Sequence, residues 1–334
     1  MNAGDVRNIS VVGAGLMGHG IAQEFALAGF RVFLHDVNDE KLARAEENIG
    51  RNLGMLSAMG LVTGDAAGTL RSNLTLGTGL AEAVAGADVV IEAAFENLTL
   101  KQELFRGMDR AAPPHAILAS NTSTLLPGAL ASATHRPDKV LVAHYFNPPY
   151  LLPLVELVRH DGTSDETVRV MFDLLTKAGK SPVILRKEAP GFIGNRLQAA
   201  LFREALSIVE QGIASAADVD TVIKNGFGRR LAAAGVFEIW EIAGWDLVMA
   251  ICENLFPSLE SGSAVSRVLK EKVDRGDLGT KTGKGFYEWT PESIDALKKR
   301  IAKMLVTIAQ EQQGGHGITG INHLNAGRKE IGRR

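Results

Sequence analysis

The sequence predicts an α/β protein, with a doubly wound, mostly parallel sheet over residues 1–188 and an all-helical domain over residues 189–312. Three observations predict this class. A glycine turn from Gly13 to Gly18 joins an apolar strand to a helix. Short apolar strands then alternate with helical segments, and from Phe192 onwards apolar residues recur at helical spacing. Residues 313–334 are polar and glycine-bearing, which predicts a flexible tail.

The first domain opens with a strand, a helix and a second strand. Residues 8–13, Asn-Ile-Ser-Val-Val-Gly, predict a short buried strand, and residues 18–28 predict a helix that ends at Gly29. Residues 31–36 predict the next strand. Further strands are predicted at residues 87–92, 116–120, 140–144 and 183–185, all parallel and separated by helices. Together these segments predict a layered sheet with helices on its faces.

The second domain follows a predicted hinge at residues 186–191. Residues 192–211 carry Ala, Leu, Glu and Arg at helical spacing, which predicts a long helix. Ser215 with Asp218 is typical of a helix start, and the glycines at residues 226–228 predict its end. We therefore expect helices alone in this part of the chain.

Composition excludes several classes of function. With 334 residues the chain exceeds the usual size of one hydrophobic core, which favours two domains. The formal net charge is −2, so no bulk attraction to nucleic acid or to an anionic membrane is expected. Residues 1–8 lack an export pattern, and no apolar run reaches the roughly twenty residues that span a bilayer. A small-molecule function is the expectation.

The chain has one cysteine, Cys252. An intrachain disulfide and a cysteine-rich metal site are therefore excluded, and we expect no metal cofactor. A reducing, cytoplasmic location fits this count.

The glycine turn predicts a dinucleotide site. Gly13 permits a tight turn, Gly15 lets backbone amides approach a pyrophosphate, and Gly18 allows the helix to pack closely on the strand. Asp36 ends the next strand, eighteen residues past Gly18, where it can accept both hydroxyls of the adenine ribose. Its uncompensated charge would repel a 2′-phosphate, which favours NAD over NADP. The alternative is a glycine-rich turn that binds nothing.

His144 and Glu156 flank a proline-rich apolar segment and predict a proton-handling pair. Oxidation of an alcohol by hydride removal needs a base of near-neutral pKa, and histidine supplies one. A carboxylate on the other ring nitrogen would orient the ring and stabilise the imidazolium that forms. The alternatives are a core histidine bound to a backbone carbonyl and a strand glutamate paired with a surface lysine.

Two further segments add polar groups. Residues 120–124 form a hydroxyl-rich run directly after an apolar strand, the position at which sheets of this type hold ligands. Asn195 lies one turn into the first helix of the second domain. On residue type alone, Ser123 could equally be a helix cap and Asn195 a simple polar helix residue.

Taken in order, these segments closely resemble the 3-hydroxyacyl-CoA dehydrogenase family over about residues 8–290. The family pairs a Rossmann domain with a helical, dimer-forming domain, so the resemblance implies a homodimer. It implies catalytic and substrate-binding roles for five residues, namely Ser123, His144, Asn147, Glu156 and Asn195. It also implies NAD contacts at the glycine turn and Asp36, and at Leu16, Met17, Glu96, Lys101, Asn121, Asn147 and Lys281.

The substrate is a separate question. Thioester-handling members of the family resemble one another in a lysine-bearing helix that follows the strand ending at the position of Asp36. Residues 52–60 of this chain are instead apolar and nearly uncharged. Residues 228–238 are three residues longer than the corresponding thioester-branch segment and resemble the λ-crystallin and L-gulonate 3-dehydrogenase branch. Arg230 is the first candidate for binding a free carboxylate and Arg229 is the second, because the planar guanidinium group can bind both carboxylate oxygens. An exposed basic turn is the alternative.

The sequence therefore predicts an NAD-dependent dehydrogenase that oxidises the 3-hydroxyl of a small hydroxy acid to a 3-oxo product. An L-3-hydroxyacyl-CoA substrate, such as 3-hydroxybutyryl-CoA, is the alternative within the family. An alternative of another class is a non-catalytic NAD-binding protein, as in the crystallins of the eye lens.

Overall fold

The computed structural model describes residues 1–62 and 64–313. The chain divides into two compact units, Met1–Arg196 and Leu197–Arg334. The predicted flexible tail lies outside the described residues from position 314 onwards, and Gln313 is the last residue of a helix.

The described residues of the first unit form eight strands and seven α-helices, and an eighth α-helix begins near its end. The strands are β1 Asn8–Val12, β2 Arg31–His35, β3 Leu74–Gly77, β4 Val89–Glu92, β5 Ile117–Ser120, β6 Val140–Tyr145, β7 Leu154–Val158 and β8 Ser181–Leu185. The helices are α1 Gly18–Leu27, α2 Asp39–Ala58, α3 Ala66–Asn73, α4 Leu80–Val84, α5 Leu98–Ala111, α6 Pro127–Ala131, α7 Asp165–Lys177 and α8 Gly194–Glu210. The predicted strands and the first helix are present with ends shifted by one or two residues, and β3 and β7 were not predicted.

One sheet contains all eight strands, in the order β3-β2-β1-β4-β5-β6-β7-β8. The first six strands run parallel, which confirms a doubly wound, mostly parallel sheet. The expectation of parallel strands throughout is wrong at β7, which pairs antiparallel with β6, whereas β8 is parallel to β7. Only residues 146–153 connect β6 to β7, and a parallel return would need a crossover of a dozen or more residues.

Two apolar layers cover the faces of this sheet. Val89 and Ile91 of β4 belong to one core cluster, which includes Phe25 of α1. Val90, between them, belongs to the other cluster together with Phe105 of α5. Alternate residues of one strand therefore face opposite layers, which is why the central strands read as continuous apolar runs.

The described residues of the second unit form helices, apart from isolated β-bridges between Gly279 and Lys284 and between Lys284 and Glu288. This unit contains the rest of α8, followed by α9 Ala216–Asn225, α10 Gly228–Leu231, α11 Val236–Ala243, α12 Trp245–Leu255, α13 Arg267–Asp274 and α14 Pro291–Gln313. The predicted start of α9 is confirmed, since Ser215 and Asp218 form a reciprocal capping box. The predicted end is confirmed too, because Gly226 follows the last residue of α9. None of the helices in the described part of the chain is long and apolar enough to cross a membrane.

Candidate functional site

The glycine turn between β1 and α1 is packed so tightly that two of its positions have no room for a side chain. A β-carbon on Gly13 would lie 2.7 Å from the carbonyl oxygen of Ala93, and φ at Gly13 is +106°. A β-carbon on Gly18 would lie 1.7 Å from the carbonyl oxygen of Gly13. Gly15 instead faces open space, with no atom within 4 Å of such a β-carbon. The turn therefore leaves its backbone accessible at Gly15.

Asp36 fastens this turn from the end of β2. Its Oδ2 accepts a hydrogen bond of 2.8 Å from the backbone N–H of Ala14, and its Oδ1 accepts one of 2.7 Å from Val37. The Lys41 ammonium lies 3.2 Å from Oδ1. Burial alone would raise the pKa of Asp36, but these donors outweigh it and hold the pKa below its ordinary value of 3.8. Asp36 is therefore a carboxylate at neutral pH.

Lys41 partly compensates the charge of Asp36. The sequence predicts an uncompensated charge there, yet the Lys41 ammonium lies 3.2 Å from Asp36 Oδ1. Repulsion of a 2′-phosphate by Asp36 is therefore weakened by a neighbouring positive charge.

The start of α1 fits a pyrophosphate. Met17 is the N-cap residue and its side chain makes no capping hydrogen bond, and Leu16 beside it is exposed. The backbone N–H groups in the first turn of this ten-residue helix thus lie at an end that no side chain caps, next to the accessible backbone of Gly15. Such an end attracts anionic oxygens, so this part of the structure suits the pyrophosphate of a dinucleotide.

His144 and Glu156 form the buried pair that the sequence predicts. They lie opposite each other in the β6–β7 register, and His144 Nδ1 is 2.8 Å from Glu156 Oε2. The side chains are 5% and 2% exposed, and the rings of Phe146 and Phe192 lie 4.8 and 5.3 Å from the imidazole. Since a carboxylate only accepts, Nδ1 carries the proton and Nε2 keeps its lone pair. The neutral ring is therefore a base at Nε2.

Glu156 has a second task at the start of α8. Its Oε1 accepts hydrogen bonds of 2.9 Å from the backbone N–H groups of Ile193 and Gly194. Burial would raise the pKa of Glu156, but His144 and these two donors outweigh it and lower the pKa below 4.5. Glu156 is thus a carboxylate at neutral pH, and it joins the imidazole to the segment carrying Asn195.

Ser123 and Asn195 are brought together by backbone contacts. The Nδ2 group of Asn195 donates to the carbonyl oxygen of Ser123 over 3.3 Å. Glu96 Oε1 accepts from the backbone N–H of Ser123 at 3.2 Å and from the hydroxyl of Thr124 at 2.7 Å. Ser123 caps no helix, because α6 begins only at Pro127. Its exposed hydroxyl is left to face solvent or a ligand.

Lys101 is buried in a network that the sequence did not reveal. Its ammonium is 2.6 Å from Glu92 Oε1 and 3.6 Å from Glu96 Oε2, and the lysine is 1% exposed. Glu92 Oε2 accepts from the hydroxyl of Ser120 at 2.6 Å. Glu92 was missed, and the only available signal was a carboxylate that ends an otherwise apolar strand. The network joins the ends of β4 and β5 below the loop of Ser123.

Asn121 and Asn147 lie at the ends of neighbouring strands. Asn121 Oδ1 accepts a 2.8 Å hydrogen bond from the backbone N–H of Tyr145, which links the end of β5 to the end of β6. Asn147 is exposed and precedes Pro148, with a cis peptide bond between them. Both amides therefore border the polar edge that holds His144.

The remaining predicted residues belong to the second unit. Arg229, Arg230 and Lys281 are exposed. Arg229 donates to the carbonyl oxygen of Lys224 and to the side chain of Asn225, so it completes the end of α9. Among the described residues, the guanidinium of Arg230 has no such partner. The same part of the chain contains no group of three or more His, Cys, Asp or Glu side chains that could hold a metal.

Two family models match the chain. Residues 8–189 match "3-hydroxyacyl-CoA dehydrogenase, NAD binding domain", and residues 191–289 match "3-hydroxyacyl-CoA dehydrogenase, C-terminal domain". The two matches leave out α14, which begins at Pro291.

Three relatives illustrate the range of similar proteins. The 5-formyl-3-hydroxy-2-methylpyridine 4-carboxylate 5-dehydrogenase of Mesorhizobium japonicum is 32% identical over 310 residues, covering 92% of this chain and 99% of that protein. A probable 3-hydroxybutyryl-CoA dehydrogenase of Deinococcus radiodurans is 37% identical over 280 residues, covering 84% and 99%. The lambda-crystallin homolog of Mus musculus is 37% identical over 276 residues, covering 79% and 86%.

A solved structure agrees with these matches. The crystal structure of an NAD+-dependent 5-formyl-3-hydroxy-2-methylpyridine 4-carboxylic acid 5-dehydrogenase aligns with a TM-score of 0.87 at 31% identity, over 92% of this chain and 99% of that one. The glycine turn, Asp36 and the buried His144–Glu156 pair thus occur in a chain matched by this family from residue 8 to 289. The protein belongs to the 3-hydroxyacyl-CoA dehydrogenase family and is an NAD-dependent oxidoreductase.

Proposed function

We propose that this dehydrogenase oxidises the hydroxyl of a small, carboxylate-bearing 3-hydroxy acid to a 3-oxo product, with His144 as the base. The observation that carries the proposal is the 2.8 Å contact between His144 Nδ1 and Glu156 Oε2, which in the neutral imidazole places the proton on Nδ1 and the free lone pair on Nε2. Removal of the hydroxyl proton by Nε2 lets the carbinol carbon become a carbonyl. Bound NAD supplies the acceptor for the hydride that leaves this carbon.

Glu156 stabilises the charge that this step creates. When Nε2 takes the proton, the imidazolium lies 2.8 Å from a carboxylate whose pKa is already low. The two backbone donors at the start of α8 keep that carboxylate in place, and the flanking rings of Phe146 and Phe192 limit access of water to the imidazole.

Ser123, Asn147 and Asn195 are proposed to hydrogen-bond the reacting oxygen or a neighbouring carbonyl of the substrate. Ser123 is supported by Glu96 and Asn195, which hold its backbone from two sides. We assign the cofactor to the residues of the glycine turn and to Asp36, together with Glu96, Lys101, Asn121, Asn147 and Lys281. Lys101 is buried against Glu92, so its role at the cofactor is to hold Glu96.

The charge pattern of α2 supports a free acid over a CoA thioester. No lysine occurs between Lys41 and Lys101. The two arginines of α2 are engaged within the helix, since Arg44 pairs with Glu40 and Arg51 donates to Asn48. Beyond Arg51 the helix carries no charge. CoA phosphates would therefore find few unpaired cations there.

One of the matched relatives also favours a free acid. The name of the Mesorhizobium japonicum protein gives a pyridine carboxylate as its substrate, and the match covers 92% of this chain. The 37% identity to a probable 3-hydroxybutyryl-CoA dehydrogenase favours the alternative, an L-3-hydroxyacyl-CoA substrate. Steady-state assays with NAD and each substrate class separate the two. Saturation by CoA thioesters alone would contradict the proposal.

Arg230 is the residue we propose for the substrate carboxylate, because its guanidinium is without a partner among the described residues while Arg229 is engaged. Loss of a charge-assisted contact predicts that Arg230→Ala raises KM for free hydroxy acids about 10- to 100-fold. Arg229→Ala is the matched control and is expected to leave this KM unchanged. Equal effects of the two substitutions would remove the assignment.

We further propose that the enzyme is a homodimer that associates through its second unit. Only four described residues beyond Arg196 are buried in the single chain, namely Leu206, Ser207, Val248 and Val306. Large apolar side chains remain exposed instead, among them Phe202, Phe237, Ile242, Met249 and Phe256. A monomer rarely exposes this much apolar surface, and a second copy of the same helices can cover it by two-fold symmetry.

Sedimentation velocity tests the dimer. The wild-type chain is expected to sediment as a dimer at micromolar concentration, and Phe237→Glu or Ile242→Glu is expected to shift it towards the monomer. Glu103→Lys, an exposed charge change on α5, is the control and should leave the dimer intact. A monomeric wild type would contradict the proposal.

We place the enzyme in the cytoplasm, since its one cysteine, Cys252, is free.

A further inference from the structure

A buried lysine lies where the loop between the two catalytic strands meets α1. Lys180, between α7 and β8, is 8% exposed. Its ammonium donates to the carbonyl oxygens of Pro149 at 2.6 Å and Leu152 at 3.2 Å. It also forms a very short contact with Glu24 of α1. One side chain thus contacts two points of the 146–153 loop and one point of the dinucleotide-binding helix.

This arrangement has a high free-energy cost for a contact that would serve stability alone. Burial raises the pKa of Glu24 to about 8, although Lys180 opposes the shift. Glu24 Oε2 and the hydroxyl of Tyr145 are buried without a hydrogen-bond partner among the described residues. Well-packed apolar side chains often stabilise a fold as well as a buried ion pair does. The polar contacts of Lys180 therefore call for a role besides stability.

The geometry of the loop suggests that role. Residues 146–153 join the strand of His144 to the strand of Glu156, and they carry Asn147. The loop lies directly on α1, because a β-carbon on Gly20 would be 2.6 Å from Pro149 Cγ. Within the loop, the backbone N–H groups of Leu151 and Leu152 donate to the carbonyl oxygen of Pro148 at 3.1 and 3.0 Å, whereas Pro149 has no N–H to donate. Lys180 adds the contacts from outside the loop, because it binds the carbonyl oxygens of Pro149 and Leu152.

We propose that Lys180, held by Glu24, is a positioning residue that fixes the 146–153 loop against α1. It keeps Asn147 and the ends of the His144 and Glu156 strands in register with the helix that binds the dinucleotide. The catalytic part of this inference rests on the function proposed above. The mechanical part, an ordered loop, does not depend on any substrate.

The test compares Lys180→Met with the double variant Glu24→Leu/Lys180→Met. The single variant leaves Glu24 buried and unpaired, so it can fail to fold. The double variant replaces the buried Lys180–Glu24 pair by apolar side chains and is expected to recover the thermal stability of the wild type. Lys187→Met, at an exposed lysine, is the matched control. Positioning and structural roles make opposite predictions for the double variant.

If Lys180 is a positioning residue, the 146–153 loop of the folded double variant is less ordered than that of the wild type, because the carbonyl oxygens of Pro149 and Leu152 have lost the donor that Lys180 supplied. Hydrogen exchange at the amides of Leu151 and Leu152 is expected to be about tenfold faster than in the wild type. NADH affinity, measured by fluorescence, is expected to be unchanged, while kcat falls about 10- to 100-fold. Wild-type exchange in this loop would overturn the proposal, as would an unchanged kcat. If no hydroxy acid is turned over even by the wild type, only the proposed function fails, and the exchange measurement still decides the role of Lys180.

Discussion

Glu156 lies directly across the β6–β7 pair from His144, and its Oε2 is 2.8 Å from Nδ1 of the ring. The antiparallel return of β7 creates this contact, since it places two residues twelve positions apart on one rung of the sheet. The other carboxylate oxygen binds the start of α8. One side chain therefore sets the tautomer of the base and also anchors the segment that carries Asn195.

Replacement of His144 by asparagine should separate binding from chemistry. The asparagine amide is not basic and cannot take the proton that Nε2 of His144 takes, so kcat is expected to fall about 10²- to 10⁴-fold. NADH affinity is expected to be unchanged, because the glycine turn and Asp36 do not contact His144. Fluorescence titration and steady-state kinetics measure the two quantities. Turnover that survives the substitution would show that another group takes the proton.

Glu156→Gln should change how stability depends on pH. The folded-state pKa of Glu156 lies below its ordinary value of 4.5, so the folded chain favours the carboxylate. Its contribution to the free energy of unfolding is therefore fully present above pH 4.5 and is lost as the pH falls through the folded pKa. Urea unfolding between about pH 6 and pH 3.5 should show the wild-type advantage shrinking with acidification. A constant difference across this range would contradict the assigned pKa shift.

Two glycines of the dinucleotide turn should respond differently to alanine. The methyl group of Gly18→Ala would lie 1.7 Å from the carbonyl oxygen of Gly13, so a loss of about 1–3 kcal/mol in the free energy of unfolding is expected. Gly15→Ala meets no atom within 4 Å and should be as stable as the wild type. Its NADH affinity is nevertheless expected to fall about tenfold, because the methyl group occupies the approach to the backbone. Thermal unfolding and fluorescence titration give both quantities, and a stable Gly18→Ala variant would refute the packing argument.

Lys41 should decide how readily the adenosine site accepts a 2′-phosphate. With Asp36→Ser, the ammonium loses the carboxylate that lies 3.2 Å away and can pair with a phosphate. NADPH is then expected to gain about tenfold in affinity relative to NADH. In the double variant Asp36→Ser/Lys41→Ala this gain should disappear. Dissociation constants from fluorescence titration test the idea, and a gain that persists without Lys41 would assign it to the loss of Asp36 alone.

Local patterns in the sequence predict much of the first unit. The β1–α1–β2 segment is identifiable because its apolar periodicity and its glycine spacing reflect backbone sterics and burial, which act over a few residues. The Ser215–Asp218 cap of α9 is predicted for the same reason. β3 was missed because Leu74–Gly77 is short and only partly buried, so its apolar signal is weak.

The sequence by itself determined the glycine turn and the alternation of strands and helices, and it was enough to predict that His144 and Glu156 meet. These features depend on residue types at short spacing. Only the tertiary structure decided which ionisable groups meet: Lys101 with Glu92, Lys41 with Asp36, and Lys180 with Glu24, which are 156 positions apart. The physical reason is that the energy of an ionisable side chain depends on its burial and its partners, and both are set by how the folded chain packs.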